Sequence, residues 1–226
     1  RPSGHDMVPM PWRLPSSHLP LYAAPSGHEV FEASLESCRI HDIRHEVLNH
    51  QQINDRFPGY QMPAGHMGVL QQDGGFVLSE RSIVAYVNAA AAAGAEIHAR
   101  EAVQKWEPEG EGVRVFTNRA EYTADRLVIT AGAWAAGMVP SLEKLAVPER
   151  QVLAWLQPKD PSLFTIDNFP VFNVLFEEGR YYGFPIFGIP GFKIGRYHHL
   201  EEVADPGNVE REVTLEDEEI LRVATA

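Results

Sequence analysis

The sequence predicts a mixed α/β protein (α+β) in which a layered α/β part is followed by a sheet-dominated part. Three observations predict it. An alanine-rich helical pattern from Ser79 to Gly94 is followed by β signals at 96–99, 112–116 and 126–130. The last of these is a continuous Leu-Val-Ile run, the pattern of a strand covered on both faces. After Pro148 the pattern changes to long β signals at 151–156, 171–176, 180–184 and 192–197, separated by Pro, Gly and acidic turns.

Taken in order, residues 1–25 are rich in Pro, Ser and His without helical or strand periodicity and read as an extended loop. From 27 to 38 the apolar positions Val30, Phe31, Leu35 and Cys38 recur at helical spacing. A short strand at 45–48 and a helix at 51–56 follow. The helix should stop at Phe57-Pro58-Gly59, because proline disfavours helix at the residue before it and glycine permits a turn. Two apolar runs around Asp73-Gly74-Gly75 predict a strand pair with a tight turn over 68–78. Ser79 is the expected N-cap of the alanine-rich helix and Gly94 its stop, and the alanines should let that helix pack closely on a sheet. Near the end, Thr214 with Asp217 forms a capping-box pattern that starts a last helix.

Composition limits function. The formal charge of -12, from 19 basic and 31 acidic residues, and the lack of a dense Lys/Arg block argue against nucleic acid as a partner. The acidic stretch 201–219 reads as a solvated face. No apolar run approaches the roughly 18 residues of a membrane helix, so no membrane partner is expected. A lone Cys38 and the lack of an opening signal peptide make the cytoplasm the expected compartment. The first residue is Arg1 rather than Met, with no buried strand after it, and the closing helix stops abruptly. The sequence therefore reads as cut at both ends.

Several stretches in this order resemble the monomeric sarcosine oxidase and N-methyltryptophan oxidase family, within the D-amino-acid oxidase superfamily. They are 53–59 (Ile-Asn-Asp-Arg-Phe-Pro-Gly), 75–78 (Gly-Phe-Val-Leu), 122–134 (from Tyr-Thr-Ala-Asp to Ala-Gly-Ala-Trp), 181–185 (Tyr-Tyr-Gly-Phe-Pro) and 191–195 (Gly-Phe-Lys-Ile-Gly). The resemblance covers residues 26–220 well and 1–25 loosely. It implies a partial Rossmann-like FAD domain interleaved with a mixed β-sheet substrate domain. On that basis residues 1–25 and 80–147 belong with the cofactor, and 26–79 and 148–226 with the substrate. The implied activity is oxidation of a C–N bond of a small amino acid or secondary amine, with FAD as cofactor. No oligomeric state follows from it.

The resemblance also assigns residues. Lys193 matches a lysine that approaches the reactive flavin edge through a water and promotes oxygen reduction, where a fixed cation stabilises developing negative charge. Tyr182 matches a tyrosine over the substrate side of the ring. The family carries a pocket histidine shortly after the lysine, and with one extra residue here His198 is its first counterpart. Arg13, aligned through Tyr22, matches an arginine that grips the substrate carboxylate, a task suited to a guanidinium fork. The stretch Thr130, Ala131, Gly132 and Trp134 lies against FAD in the family, and glycine at a strand end does permit close approach. Val103 matches a position whose backbone contacts the adenine end. No Cys or carboxylate falls at ligand spacing from the His198-His199 pair, so no metal is expected.

Two parts of the family are expected to be missing, the N-terminal dinucleotide-binding motif and the C-terminal segment. A dinucleotide site needs a strand, a Gly-x-Gly-x-x-Gly turn and a helix N-terminus, so that amides and helix dipole hold the pyrophosphate. None of the 18 glycines is arranged in that way. The 226 residues alone are therefore expected to hold FAD weakly or not at all. The competing expectation is a non-catalytic remnant of the fold that binds a small ligand or a protein.

Overall fold

The computed structural model describes residues 19–225. The described chain divides into two compact units. The first comprises the chain up to Phe76 together with Gln151–Leu200 and the residues from Glu212 onward, and the second comprises Val77–Arg150 and Glu201–Arg211.

The first unit is organised by a seven-stranded sheet. In chain order its strands are β1 (Pro20–Pro25), β2 (His45–Asn49), β3 (His66–Gln71), then β7 (Leu153–Leu156), β8 (Val171–Phe176), β9 (Gly179–Phe184) and β10 (Phe192–Arg196). Their spatial order is β2-β3-β1-β8-β9-β10-β7. Only β1 and β8 run parallel and every other pairing is antiparallel, so the sheet is mixed. Strand β1 corrects the reading of 1–25 as an extended loop. Its pairs Leu21↔Leu70 and Leu21↔Phe172 place it between β3 and β8 in this sheet. Leu21, Ala23 and Ala24 are almost wholly buried there. A six-residue central strand covered on both faces shows no alternation, which is why periodicity passes over it.

Because side chains alternate across a strand, the register sorts the sheet into two faces. One carries Leu21, Leu70, Phe172, Val174, Tyr181 and Ile194, and it packs with Ile53, Phe57, Met62 and Phe169 into the main core. Helix α2 (His50–Arg56) supplies Ile53; Asn49 caps it, accepting from the Gln52 amide while the Gln52 side chain accepts from the Asn49 amide. Phe57 ends it as expected. Helix α5 (Leu215–Val223) closes the same side, with both halves of the predicted Thr214–Asp217 capping box present. The opposite face is covered over β3 and β1 by helix α1 (Glu29–Ile40), whose Phe31 and Cys38 meet Ala24 and Val69.

Close packing makes a glycine obligatory at position 183, in the middle of this sheet. A Cβ on Gly183 would stand 2.4 Å from the Lys193 carbonyl oxygen and 2.5 Å from the Phe172 ring, both fixed by the sheet and its core. Gly183→Ala is expected to destabilise the protein by about 1–3 kcal/mol, the cost of overpacking. A chemical-denaturation midpoint equal to that of the parent sinks this account.

The second unit holds a three-stranded antiparallel sheet, β4 (Val103–Glu109), β5 (Gly112–Thr117) and β6 (Glu121–Ala124), in the order β4-β5-β6. It also contains helix α3 (Ser79–Ala92) and the short helix α4 (Ala135–Met138), tied to β4 by the Trp106 indole donating to the Met138 carbonyl at 2.8 Å. Five expectations change here. Residues 76–78 are extended without a partner strand, so 68–78 is not a hairpin. The N-cap of α3 is Leu78, which offers no side-chain bond, and Ser79 lies inside the helix with its hydroxyl on Glu80. Residues 96–99 are not a strand but lead into a turn in which Arg100 takes φ 57°. Residues 126–130 are extended but unpaired, with Val128 82% exposed, since an apolar run becomes a strand only where a neighbour supplies ladder bonds. Helix α3 likewise keeps Ile83, Val84 and Tyr86 exposed, so the expected packing on a sheet is not seen among the described residues.

Candidate active site

The uncovered half of the second face, over β8, β9, β10 and β7, is where the predicted residues of the first unit meet. In the register Lys193 stands opposite Phe184 on one side and Trp155 on the other, and Gly195 stands opposite Tyr182. Residues two apart on a strand share a face, so Tyr182, Phe184, Lys193 and Trp155 form one surface. Tyr182 and Lys193 thus lie on the same side, as expected. The tyrosine ring folds over Gly195, where any Cβ would come within 2.8 Å of the phenol carbon and oxygen. Burial, with a smaller contribution from the neighbouring Tyr197, holds the Tyr182 hydroxyl above the usual phenol range, so it stays protonated at neutral pH.

Lys193 Nζ lies 5.1 Å from the Trp155 ring and 5.4 Å from the Phe184 ring. No carboxylate pairs with it among the described residues. The aromatic faces partly offset the cost of withdrawing the ammonium from water and leave its charge available to a ligand. Phe76 and Phe187 continue the apolar border, each with its ring about 5.5–5.8 Å from its neighbour.

Tyr197, not His198, completes this surface. Its backbone amide bonds the Arg180 carbonyl and its ring lies 4.8 Å from that of Tyr182. His198 comes one residue later in an exposed turn, with φ 52°. The ladder ends there, so His198 has no place in the alternation that aims Lys193 and Gly195 at the open face. By sequence Tyr197, His198 and His199 are all candidates to share a cavity with Tyr182 and Lys193, and His199 does not take that place. It is fully buried on Asp217, with Nε2 and Oδ1 2.8 Å apart, and ties the end of β10 to the start of α5. Asn173 and Arg180 were passed over by the sequence reading. They share the open face, with Arg180 Nε donating to Asn173 Oδ1 at 2.7 Å.

Arg13 lies outside the described residues. Val103, Thr130, Ala131, Gly132 and Trp134 all belong to the second unit. Val103 opens β4 and is 43% exposed. Thr130 and Ala131 lead into a 3-10 turn at Gly132–Trp134, where Gly132 takes φ 53° with open space where a Cβ would stand. Trp134 is 57% exposed. Beside Val103 the structure shows a cluster the sequence gave no reason to expect. Glu101 accepts from the Thr117 and Tyr122 hydroxyls at 2.5 and 2.9 Å and meets His98 Nδ1 at 3.2 Å. The Thr117 hydroxyl chiefly, with Tyr122 and His98, holds the Glu101 carboxyl below the usual carboxylate range. This network braces the turn that leads into β4.

A cavity of ≈ 700 Å³ opens on the other face of the large sheet, lined by Tyr60, Phe164, Phe169, Phe172 and Phe192 among others. Two of its polar groups are engaged in the fold: the Tyr60 hydroxyl donates to the Pro170 carbonyl, and Asp160 caps the turn at Pro161–Phe164. Its rings stack as in a core, and its charged lining residues are Lys159, Asp160 and Arg222. Among the described residues no cluster of His, Cys, Asp and Glu could hold a metal ion. No described helix is long and apolar enough to cross a membrane.

Comparison with known proteins identifies the family and fold. The chain is 32% identical over 206 residues to the monomeric sarcosine oxidase of Bacillus sp. (strain NS-129), covering 89% of this chain and 53% of the relative. It is 31% identical over 163 residues to the N-methyl-L-tryptophan oxidase of Yersinia pestis (strain Pestoides F), covering 72% and 43%. The chain thus spans about half the length of the curated relatives it matches. Among solved structures, NikD, an unusual amino acid oxidase essential for nikkomycin biosynthesis, superposes with a TM-score of 0.65 at 21% identity, covering 92% of this chain and 56% of the other. The L-proline dehydrogenase of P. horikoshii gives 0.67 at 14% identity, covering 92% and 55%. These two likenesses concern the fold alone. The family model described as FAD dependent oxidoreductase (DAO) matches residues 8–225, and the chain belongs to that family.

Proposed function

We propose that this chain supplies the substrate side and part of the cofactor side of an FAD-dependent oxidase acting on the C–N bond of a small amino acid or secondary amine. The observation that carries the reading is the open sheet face on which a protonated Tyr182 and a Lys193 that meets no carboxylate among the described residues stand among aromatic rings. Kinship with relatives named for sarcosine and N-methyl-L-tryptophan supports the substrate class. We assign the large-sheet unit to the substrate and the second unit, with Val103 and Thr130–Trp134, to the cofactor. Within the first unit Lys193 would offer a cation toward a polar group of the flavin, and within the second Gly132 leaves room for close approach of a ligand. No glycine-rich turn leading into a helix is found for the pyrophosphate.

FAD, when bound, supplies the hydride acceptor. The chain's own residues orient the amine and shape its surroundings. Tyr182 presents a hydrogen-bonding hydroxyl over the glycine floor, the rings of Trp155, Phe184 and Phe76 exclude water, and Lys193 holds a positive charge through the reaction. Arg13, by its resemblance, takes the substrate carboxylate. The test is anaerobic addition of sarcosine or N-methyltryptophan to the protein at saturating FAD while the visible flavin band is followed. Bleaching is expected. A flavin that stays oxidised with both of these and with unmethylated amino acids overturns the assignment.

A further inference from the structure

We propose that Arg180 holds a second anionic group at the far end of the substrate, so that the preferred amines are acidic N-alkyl amino acids. This rests on the reading that the open face of the large sheet is the substrate side. The surface is built in three rows. Lys193 and Phe184 form the first, Gly195 and Tyr182 the second, and Tyr197 and Arg180 the third. Rows lie about 7 Å apart, twice the rise per residue of a strand. The middle row is floored by a glycine and roofed by one phenol, which makes it the shallow place where a ligand can lie.

Arg180 is set up as an anion clamp. Its Nε donates to Asn173 Oδ1 at 2.7 Å, and its guanidinium carbon lies 4.9 Å from the centre of the Tyr197 ring. The Tyr197 hydroxyl in turn accepts from Asn173 Nδ2 at 3.0 Å. Asn173 therefore fixes both the guanidinium and the ring beneath it. The two terminal nitrogens of Arg180 have no partner among the described residues, and no carboxylate pairs with it. That is notable in a chain with 31 acidic residues and 19 basic ones, where Arg44, Arg56, Arg114 and Arg222 all find carboxylates. A planar fork held by one edge, with its other edge free, matches a carboxylate in bidentate fashion. Arg180 stands one row, about 7 Å, from Tyr182 and Gly195, so the acidic side chain of an amine lying on the middle row reaches its fork, and an uncharged side chain leaves Arg180 unused.

The experiment measures binding without turnover, by the fluorescence of Trp155 at the edge of this face. N-methylaspartate and its neutral isostere N-methylasparagine are titrated into the parent protein, Arg180→Met and Arg180→Lys. In the parent the acid is expected to bind about tenfold more tightly than the amide, the contribution of a single charge-assisted contact. Arg180→Met should bring that ratio to about one without weakening the amide, and Arg180→Lys should restore part of it. A purely structural Arg180 would weaken both ligands alike. Equal affinities in the parent, no binding of either compound, or a ratio that survives in Arg180→Met overturns the proposal. Flavin bleaching by sarcosine with no charge preference refutes the Arg180 assignment alone, whereas failure of every amine to bleach the flavin refutes the oxidase reading.

Discussion

Lys193→Met is expected to slow reoxidation of the reduced protein by oxygen by about 10²–10³-fold, the usual effect of removing one group aimed at developing charge. Reduction by the amine should change little. The asymmetry follows from when negative charge appears. A cation strengthens its interaction only as oxygen accepts an electron, so it contributes to that half of the cycle and not to the other. The geometry favours a large effect, because the Lys193 ammonium lies over Trp155 and Phe184 with no carboxylate paired to it among the described residues. Methionine keeps the length and apolar stem of the side chain and removes only the charge. Stopped-flow traces with equal losses in both half-reactions would remove Lys193 from this role.

Asp217→Ala is expected to lower stability by about 2–5 kcal/mol, the cost of leaving a buried His199 nitrogen without its carboxylate hydrogen-bond partner together with the loss of a helix cap. Both His199 and Asp217 are wholly shielded from solvent, and their contact is 2.8 Å. Asp217 also accepts from the Thr214 amide and hydroxyl through its other oxygen, so the substitution opens the N-terminal cap of α5 together with the pair. The Tyr181 hydroxyl, which donates to the Ile220 carbonyl, then remains the main polar tie between that helix and the sheet. Thermal melting should fall by roughly 10 °C, given the few degrees per kcal/mol typical of a chain of this size. Because His199 follows the turn that places Tyr197, ligand binding at the open face should weaken as well. A melting point within about 2 °C of the parent shows that the pair carries no such load.

Local chemistry made much of this protein legible in its sequence. The Asn49 and Thr214 caps, the stop at Phe57-Pro58-Gly59, and the strands from 153 to 196 depend on neighbours in sequence and on alternation, and both act within a few residues. The placement of Tyr182 and Lys193 on one side was legible for the same reason, since the period of two survives in any antiparallel register. Tertiary structure decided the rest. Strand β1 exists because β3 and β8 supply ladder bonds to a segment with no pattern of its own, whereas the equally apolar 126–130 run meets no such neighbour among the described residues. His198 and His199 are alike in sequence, yet the end of a strand exposes the first and buries the second against a helix 18 residues away. The union of Arg180, Asn173 and Tyr197 was equally invisible, because pairing across β8, β9 and the end of β10 joins residues that no local spacing relates. Sequence thus determined which segments favour helix or strand and which side chains alternate. Burial and cross-strand pairing, which depend on distant residues, determined which of them meet.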